Sequence, residues 1–107
     1  MLSKKFRLKR EEIEGLKRER KNKILQGKFF GLIYQEGEGK KFALILSNKL
    51  CHKATERNRI KRLFYRAIER KPFNKEGKFL FLAKRGSLES NLADFEKELT
   101  FLSSKLP

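Results

Sequence analysis

The chain has 107 residues, of which 28 are Lys or Arg and 13 are Asp or Glu, giving a formal charge of +15 and a pI near 10.3. Its ten phenylalanines and 38% hydrophobic content exclude a disordered basic tail, where aromatics are scarce. A single cysteine excludes an intramolecular disulfide, no apolar run approaches the roughly 18 residues of a membrane span, and the N-terminus lacks a signal peptide's apolar stretch. Splitting a chain this short leaves halves too small to bury a core, so one domain over residues 1–107 is expected, soluble and intracellular. A compact domain with this charge imbalance is the footprint of a nucleic-acid binder. The rival, a peripheral membrane protein, needs a basic helix whose apolar face is free to enter lipid, and here the apolar faces are needed for the core.

Residues 1–28 hold eleven cations and four anions with few apolar side chains. Ile13, Leu16 and Ile24 make a thin helical stripe, weakened by Gly15, and place a helix near 9–22. Phe29 to Tyr34 reads as a strand, Gln35 to Lys40 as the Gly-punctuated turn of a hairpin, and Lys41 to Ser47 as the returning strand. Asn48 to Ala54 is a connector. Thr55 suits an N-cap with Glu56 in the first turn of the next helix, which Pro72 stops by Lys71. Asn74 to Gly77 is a turn and Lys78 to Ala83 a third apolar strand. Arg85-Gly86-Ser87 breaks it, and Leu88, Leu92, Phe95, Leu99 and Leu102 line one face of a closing helix. The order α-β-β-α-β-α describes an α+β fold, a two-layer sandwich of three or four strands with helices on one face. Part of the other sheet face stays open.

The helix over residues 53–70 is the most informative segment. Ile60, Leu63, Phe64, Ala67 and Ile68 form one apolar stripe. Arg59, Arg62 and Arg66 repeat on a ridge that the stripe leaves free, with Arg57 and Lys61 on the opposite flank. Seven cations (Lys53, Arg57, Arg59, Lys61, Arg62, Arg66, Arg70) face two anions (Glu56, Glu69). An ordinary solvated face alternates sign to gain i,i+4 pairs, whereas this one repeats a single sign, which is repulsive without a polyanion against it. Guanidinium suits phosphate because its fork binds two oxygens at once. Asn58 adds a group able to bond sugar or base.

Phe30, Leu32 and Tyr34 alternate onto one sheet face, and Phe29 and Ile33 onto the other. Either set can be core; in the functional reading, Phe30 and Tyr34 offer unpaired bases a stacking platform on the uncovered face. Cys51-His52 supplies too few ligands for zinc and no base or oxyanion site for a nucleophile. A protein-borne nuclease needs clustered carboxylates for two metal ions. The acids Glu11, Glu12, Glu14, Glu36, Glu38, Glu96 and Glu98 read instead as solvated helix or turn residues.

Ser47-Asn48-Lys49 followed by Lys53-Ala54-Thr55-Glu56-Arg57-Asn58-Arg59-Ile60-Lys61-Arg62 resembles the signature of the bacterial ribonuclease P protein subunit, whose hallmark is an Arg-Asn-Arg helix. Arg7-Leu8 before the first helix, an aromatic first strand ending at Tyr34, and Ala83-Lys84-Arg85-Gly86 closing the last strand agree with it over nearly the whole chain. The resemblance implies a fold like the second domain of ribosomal protein S-five, with a left-handed β-α-β crossover where the physical default is right-handed. It also implies a cytoplasmic ribonucleoprotein endonuclease that removes the 5′ leader of precursor tRNA, its RNA subunit performing the hydrolysis with Mg²⁺. Lys53, Arg57, Asn58, Arg59, Lys61 and Arg62 would face the catalytic RNA, joined by Arg66 of the ridge. Phe30, Tyr34, Ser47 and Lys49 would lie toward the leader cleft. The free protein is expected to be a monomer that binds no metal alone. The chain departs from the family where Ile13, Leu16 and charged residues replace first-helix phenylalanines, and where Asn48 replaces a lysine. A structural RNA-binding protein, such as a ribosomal protein, is the alternative, and an autonomous nuclease a third reading.

Overall fold

The run Lys78-Phe79-Leu80-Phe81-Leu82 carries apolar side chains on both faces of an extended chain, the composition of a central strand. The computed structural model describes residues 6–18, 22–47, 52–70, 73 and 75–106, and it puts this strand between two others. In chain order the elements are α1 (Arg10–Arg18), β1 (Lys23–Gln26), β2 (Phe30–Glu36), β3 (Lys40–Ile45), α2 (Ala54–Arg70), β4 (Gly77–Ala83), a 3-10 turn (Arg85–Glu89) and α3 (Leu92–Ser104). The fold is α+β, with the sheet in the order β1-β2-β4-β3.

The turn between β2 and β3 does not close the expected hairpin. β4 is inserted between them, antiparallel to β2 and parallel to β3, to which it connects through α2. The reason lies in composition: β4 is apolar on both faces and gains most from two neighbours, while β3 carries Lys40 and Lys41. Gly77 permits the close approach. Its φ of +144° is open only to glycine, its N–H donates to Gly39 O (2.6 Å), and a Cβ there would strike the Gln35 carbonyl. The true hairpin is β1–β2, pairing Ile24 with Ile33 and Leu25 with Leu32.

That hairpin also corrects the extent of the first helix. α1 ends at Arg18, the Asn22 side-chain amide donates to Leu16 O (2.9 Å), and Lys23 already pairs with Tyr34. The closing helix begins later than its stripe indicated. Asn91 and Asp94 form a reciprocal capping box, which starts α3 at Leu92 and leaves Leu88 in the 3-10 turn. Thr55 is not the cap of α2: the helix begins at Ala54, and the Lys53 carbonyl accepts from Arg57 N–H at 3.0 Å. Pro72, expected to stop that helix, lies outside the described residues.

The main core lies on one sheet face. Phe30, Leu32 and Tyr34 of β2, Phe42 of β3 and Phe79 and Phe81 of β4 pack against Ile60, Phe64, Ala67 and Ile68 of α2 and Phe95, Leu99 and Leu102 of α3. The rings interlock: Phe42 stacks on Phe79 at 4.9 Å, while Phe30 meets Phe95 (4.9 Å) and Phe64 (5.4 Å) edge-on. Helices are not confined to this face. Leu8 and Leu16 bury a second, smaller cluster with Ala43 and Leu80 on the other side, flanked by Ile13, Ile33 and Ile45. The segment before α1 lies along the outer edge of β3, where Arg7 forms a parallel bridge to Phe42 and Leu8 N–H donates to Phe42 O (3.0 Å).

Candidate nucleic-acid interface

α2 presents its cations from a fixed platform because Ile60, Phe64, Ala67 and Ile68 of its inner stripe are buried. The cations divide into two groups. Arg57 is half-buried, and its Nη2 donates to Leu46 O at 3.3 Å, tying the start of α2 to the chain leaving β3. Arg59 reaches the 3-10 turn: Nη2 donates to Leu88 O (2.6 Å), Nη1 to Ser90 O (3.5 Å), and Nε lies 3.4 Å from Glu56. Its side chain remains 37% exposed. One ridge arginine is therefore largely occupied in holding the fold, a use that helical spacing does not reveal.

Asn58, Lys61, Arg62 and Arg66 point outward and are exposed. None of the four makes a hydrogen bond or ion pair among the described residues. Lys53 is also exposed. Arg62 stands between two grooves. One, of about 430 Å³, is lined by Arg59, Arg62, Leu63, Tyr65, Arg66 and Glu69. The other, of about 600 Å³, is lined by Arg7, Thr55, Asn58, Lys61, Arg62 and Tyr65. Tyr65 and Arg7 are the members that sequence reasoning missed. Tyr65 sits beside Lys61 on the helical wheel, a signal the arginine count overshadowed; nothing local places Arg7, which the bridge to β3 delivers. Burial pushes the Tyr65 phenol above its ordinary pKa, opposed by the Arg7 charge and by a hydrogen bond from the Leu44 backbone.

The expected leader-cleft residues do not assemble. Phe30 is fully buried under Phe64 and Phe95 and offers no ring face to a base. Tyr34 is 5% exposed and packs on Phe79 at 4.9 Å, and its hydroxyl donates to Glu76 O (2.6 Å). Burial, with Glu36 and Glu76 nearby, raises its pKa. Both belong to the face covered by α2 and α3. Alternation assigns residues to two faces but does not say which face the helices cover, and a strand apolar on both sides leaves that choice open. Ser47 is exposed just beyond β3, whereas Asn48, Lys49 and Cys51 lie outside the described residues. His52 is exposed.

Not every acid is solvated. Glu98 on α3 is 7% exposed and accepts the backbone N–H groups of Lys28 (3.0 Å), Phe29 and Phe30 (2.9 Å), clasping the β1–β2 turn. A Cβ at Gly27 would collide with this carboxylate. Glu12 is also partly buried, between Lys41 (3.3 Å) and Lys78 (3.5 Å). No described helix is long and apolar enough to cross a membrane.

The sequence profile of the family described as Ribonuclease P matches residues 2–107. The chain belongs to the ribonuclease P protein family. It is similar in fold to the RNase P protein from Thermotoga maritima, with a TM-score of 0.81 at 17% identity over 94% of this chain and 97% of that one. The Staphylococcus aureus RNase P protein solved at 2.0 Å matches with a TM-score of 0.77 at 15% identity, over 92% of this chain and 93% of that one. No curated protein matches. Family membership makes this an RNase P protein subunit, an RNA-binding component of the tRNA-processing ribonucleoprotein, and sets aside the ribosomal-protein alternative.

Proposed function

We propose that this RNase P subunit binds the catalytic RNA of its ribonucleoprotein through the outer face of α2. Lys53, Asn58, Lys61, Arg62 and Arg66 supply the contacts, while Arg57 and Arg59 hold the helix in position. The observation that carries this reading is that Lys61, Arg62 and Arg66 face outward with no partner among the described residues, on a helix whose Ile60, Phe64, Ala67 and Ile68 are buried on the opposite side. Such a surface is relieved of self-repulsion when phosphates replace their condensed counterions with it. The single-stranded leader of precursor tRNA then lies on the α1 side of the sheet. There Ile33, Ile45 and Leu82 are only partly buried and Ile24 is 60% exposed, with Ser47 near the end of β3.

Hydrolysis belongs to the RNA and its Mg²⁺. The α2 face does not fit a divalent cation, since guanidinium and ammonium groups dominate its grooves and Glu69 is the one carboxylate among their described lining residues. No chemical step is assigned to this chain. Its part is to raise affinity and offset phosphate repulsion, which lets the RNA bind Mg²⁺ productively at lower concentration. The test is cleavage of precursor tRNA by the cognate RNA at low Mg²⁺, with and without the protein. Restored cleavage only when both are present is expected; cutting by the protein alone, or no effect of adding it, refutes the reading.

A further inference from the structure

Two segments far apart in sequence meet in the groove between α2 and the segment preceding α1. The bridge to Phe42 fixes the backbone of Arg7, whose guanidinium carbon lies 5.6 Å from the centroid of the Tyr65 ring. The Tyr65 ring meets Phe64 edge-on at 5.1 Å, so it is held against the core. Two turns before Tyr65 on the same face of α2 stands Asn58, exposed and with its side chain making no hydrogen bond among the described residues, and Thr55 lies one turn earlier. Lys61 and Arg62 complete the lining.

This combination differs in kind from the arginine ridge. A ridge of cations reads phosphate alone, whereas a planar guanidinium held over an aromatic ring offers a base a stacking surface. A primary amide can bond a base edge through two atoms at once. At about 600 Å³ the groove admits a nucleotide, within the general range of small-ligand sites.

Resting on the reading that α2 binds RNA, we infer that the Arg7–Tyr65 groove captures one unpaired nucleotide of that RNA, its base stacked against Tyr65 and Arg7, its edge on Asn58, and its phosphate on Lys61 and Arg62. The site would give the subunit a means of recognising an extruded base in addition to charge.

The test uses the full chain assembled with its cognate RNase P RNA. Ultraviolet irradiation followed by mass spectrometry is expected to find a nucleotide adduct on the peptide containing Tyr65. Tyr65→Leu, which keeps an apolar side chain but removes the ring, is expected to weaken binding about tenfold with an unchanged salt slope, because no charge is lost. Tyr65→Phe keeps the stacking ring and should bind within about twofold of the parent. Undiminished affinity of Tyr65→Leu overturns the inference, as does equal weakening by Tyr65→Phe, which would assign the effect to the hydroxyl rather than to the ring. The adduct needs no variant, so adducts confined to other peptides overturn it even if Tyr65→Leu fails to fold. Tight RNA binding alongside any of these results leaves the proposed function standing; no binding by the parent protein defeats both.

Discussion

Arg59, Arg62 and Arg66 lie on one ridge of α2, yet the structure predicts that replacing them has separable consequences. Arg62 and Arg66 are exposed and make no described contact, so Arg62→Ala and Arg66→Ala should leave folding stability within about 0.5 kcal/mol of the parent. On the proposed function each replacement removes one phosphate contact and should lower the slope of log K against log salt by about 0.9. At about 0.15 M salt, releasing one counterion contributes about 1 kcal/mol, so each replacement should weaken RNA binding about fivefold and the pair about thirtyfold. Arg59→Ala is different because its guanidinium binds the Leu88 and Ser90 carbonyls. Charged donors to carbonyls contribute about 1.5–3 kcal/mol when dry; discounted for this partly exposed side chain, the loss is about 1 kcal/mol, or about 4–8 °C in unfolding midpoint. Thermal melts of the free proteins and RNA titrations at several salt concentrations measure both effects. Equal destabilisation by all three variants, or salt slopes unchanged by Arg62→Ala and Arg66→Ala, would refute the division of the ridge.

Glu98→Gln should cost about 2–4 kcal/mol in urea unfolding, because a neutral amide cannot accept from all three backbone N–H groups and turns a donor toward one of them; a loss below about 0.5 kcal/mol contradicts the clasp. Tyr34→Phe should lose about 1 kcal/mol with the hydrogen bond to Glu76 O but leave precursor-tRNA cleavage unchanged, and a cleavage defect in a well-folded variant would return Tyr34 to the leader path. Glu12 titrates below its ordinary value of 4.5: desolvation raises its pKa, but the Lys9 N–H, the Lys41 hydrogen bond and the charges of Lys41 and Lys78 together outweigh it. A depressed folded-state pKa contributes stability that is present above the unfolded value and is lost as pH falls through the folded one. Glu12→Gln should therefore flatten the stability profile below about pH 4.5 and leave the remaining acid dependence in place, as measured by melts from pH 3 to 7.

The elements were legible where periodicity was strong. The stripe from Ile60 to Ile68 sits in the core, and β2, β3 and β4 fall within a residue or two of their apolar runs. Strand order was not legible, because a Gly-rich turn between two strands has the same composition whether they pair or a third enters between them. β1 has one strongly exposed apolar residue, Ile24, and too little alternation to stand out from a basic segment. The burial of Phe30 and Tyr34 was hidden by the same even-handed apolarity that made β2 easy to find. At the interface, spacing located the cations of α2 but could not separate those that brace the fold from those that face outward. That distinction depends on carbonyls at Leu46, Leu88 and Ser90, which come close only in three dimensions.

The position of β4 also orders events during synthesis. Neither β2 nor β3 gains its central partner β4 until residues 77–83 have left the ribosome, so a shorter nascent chain has, among the described pairings, the β1–β2 hairpin and the Arg7–Phe42 bridge alone. The apolar side of α2, Ile60, Phe64, Ala67 and Ile68, emerges before β4 and α3 complete its cover, in a segment dense with lysine and arginine. Like charge between growing chains keeps them apart during this interval, which protects the unfinished molecule from aggregation before RNA meets it.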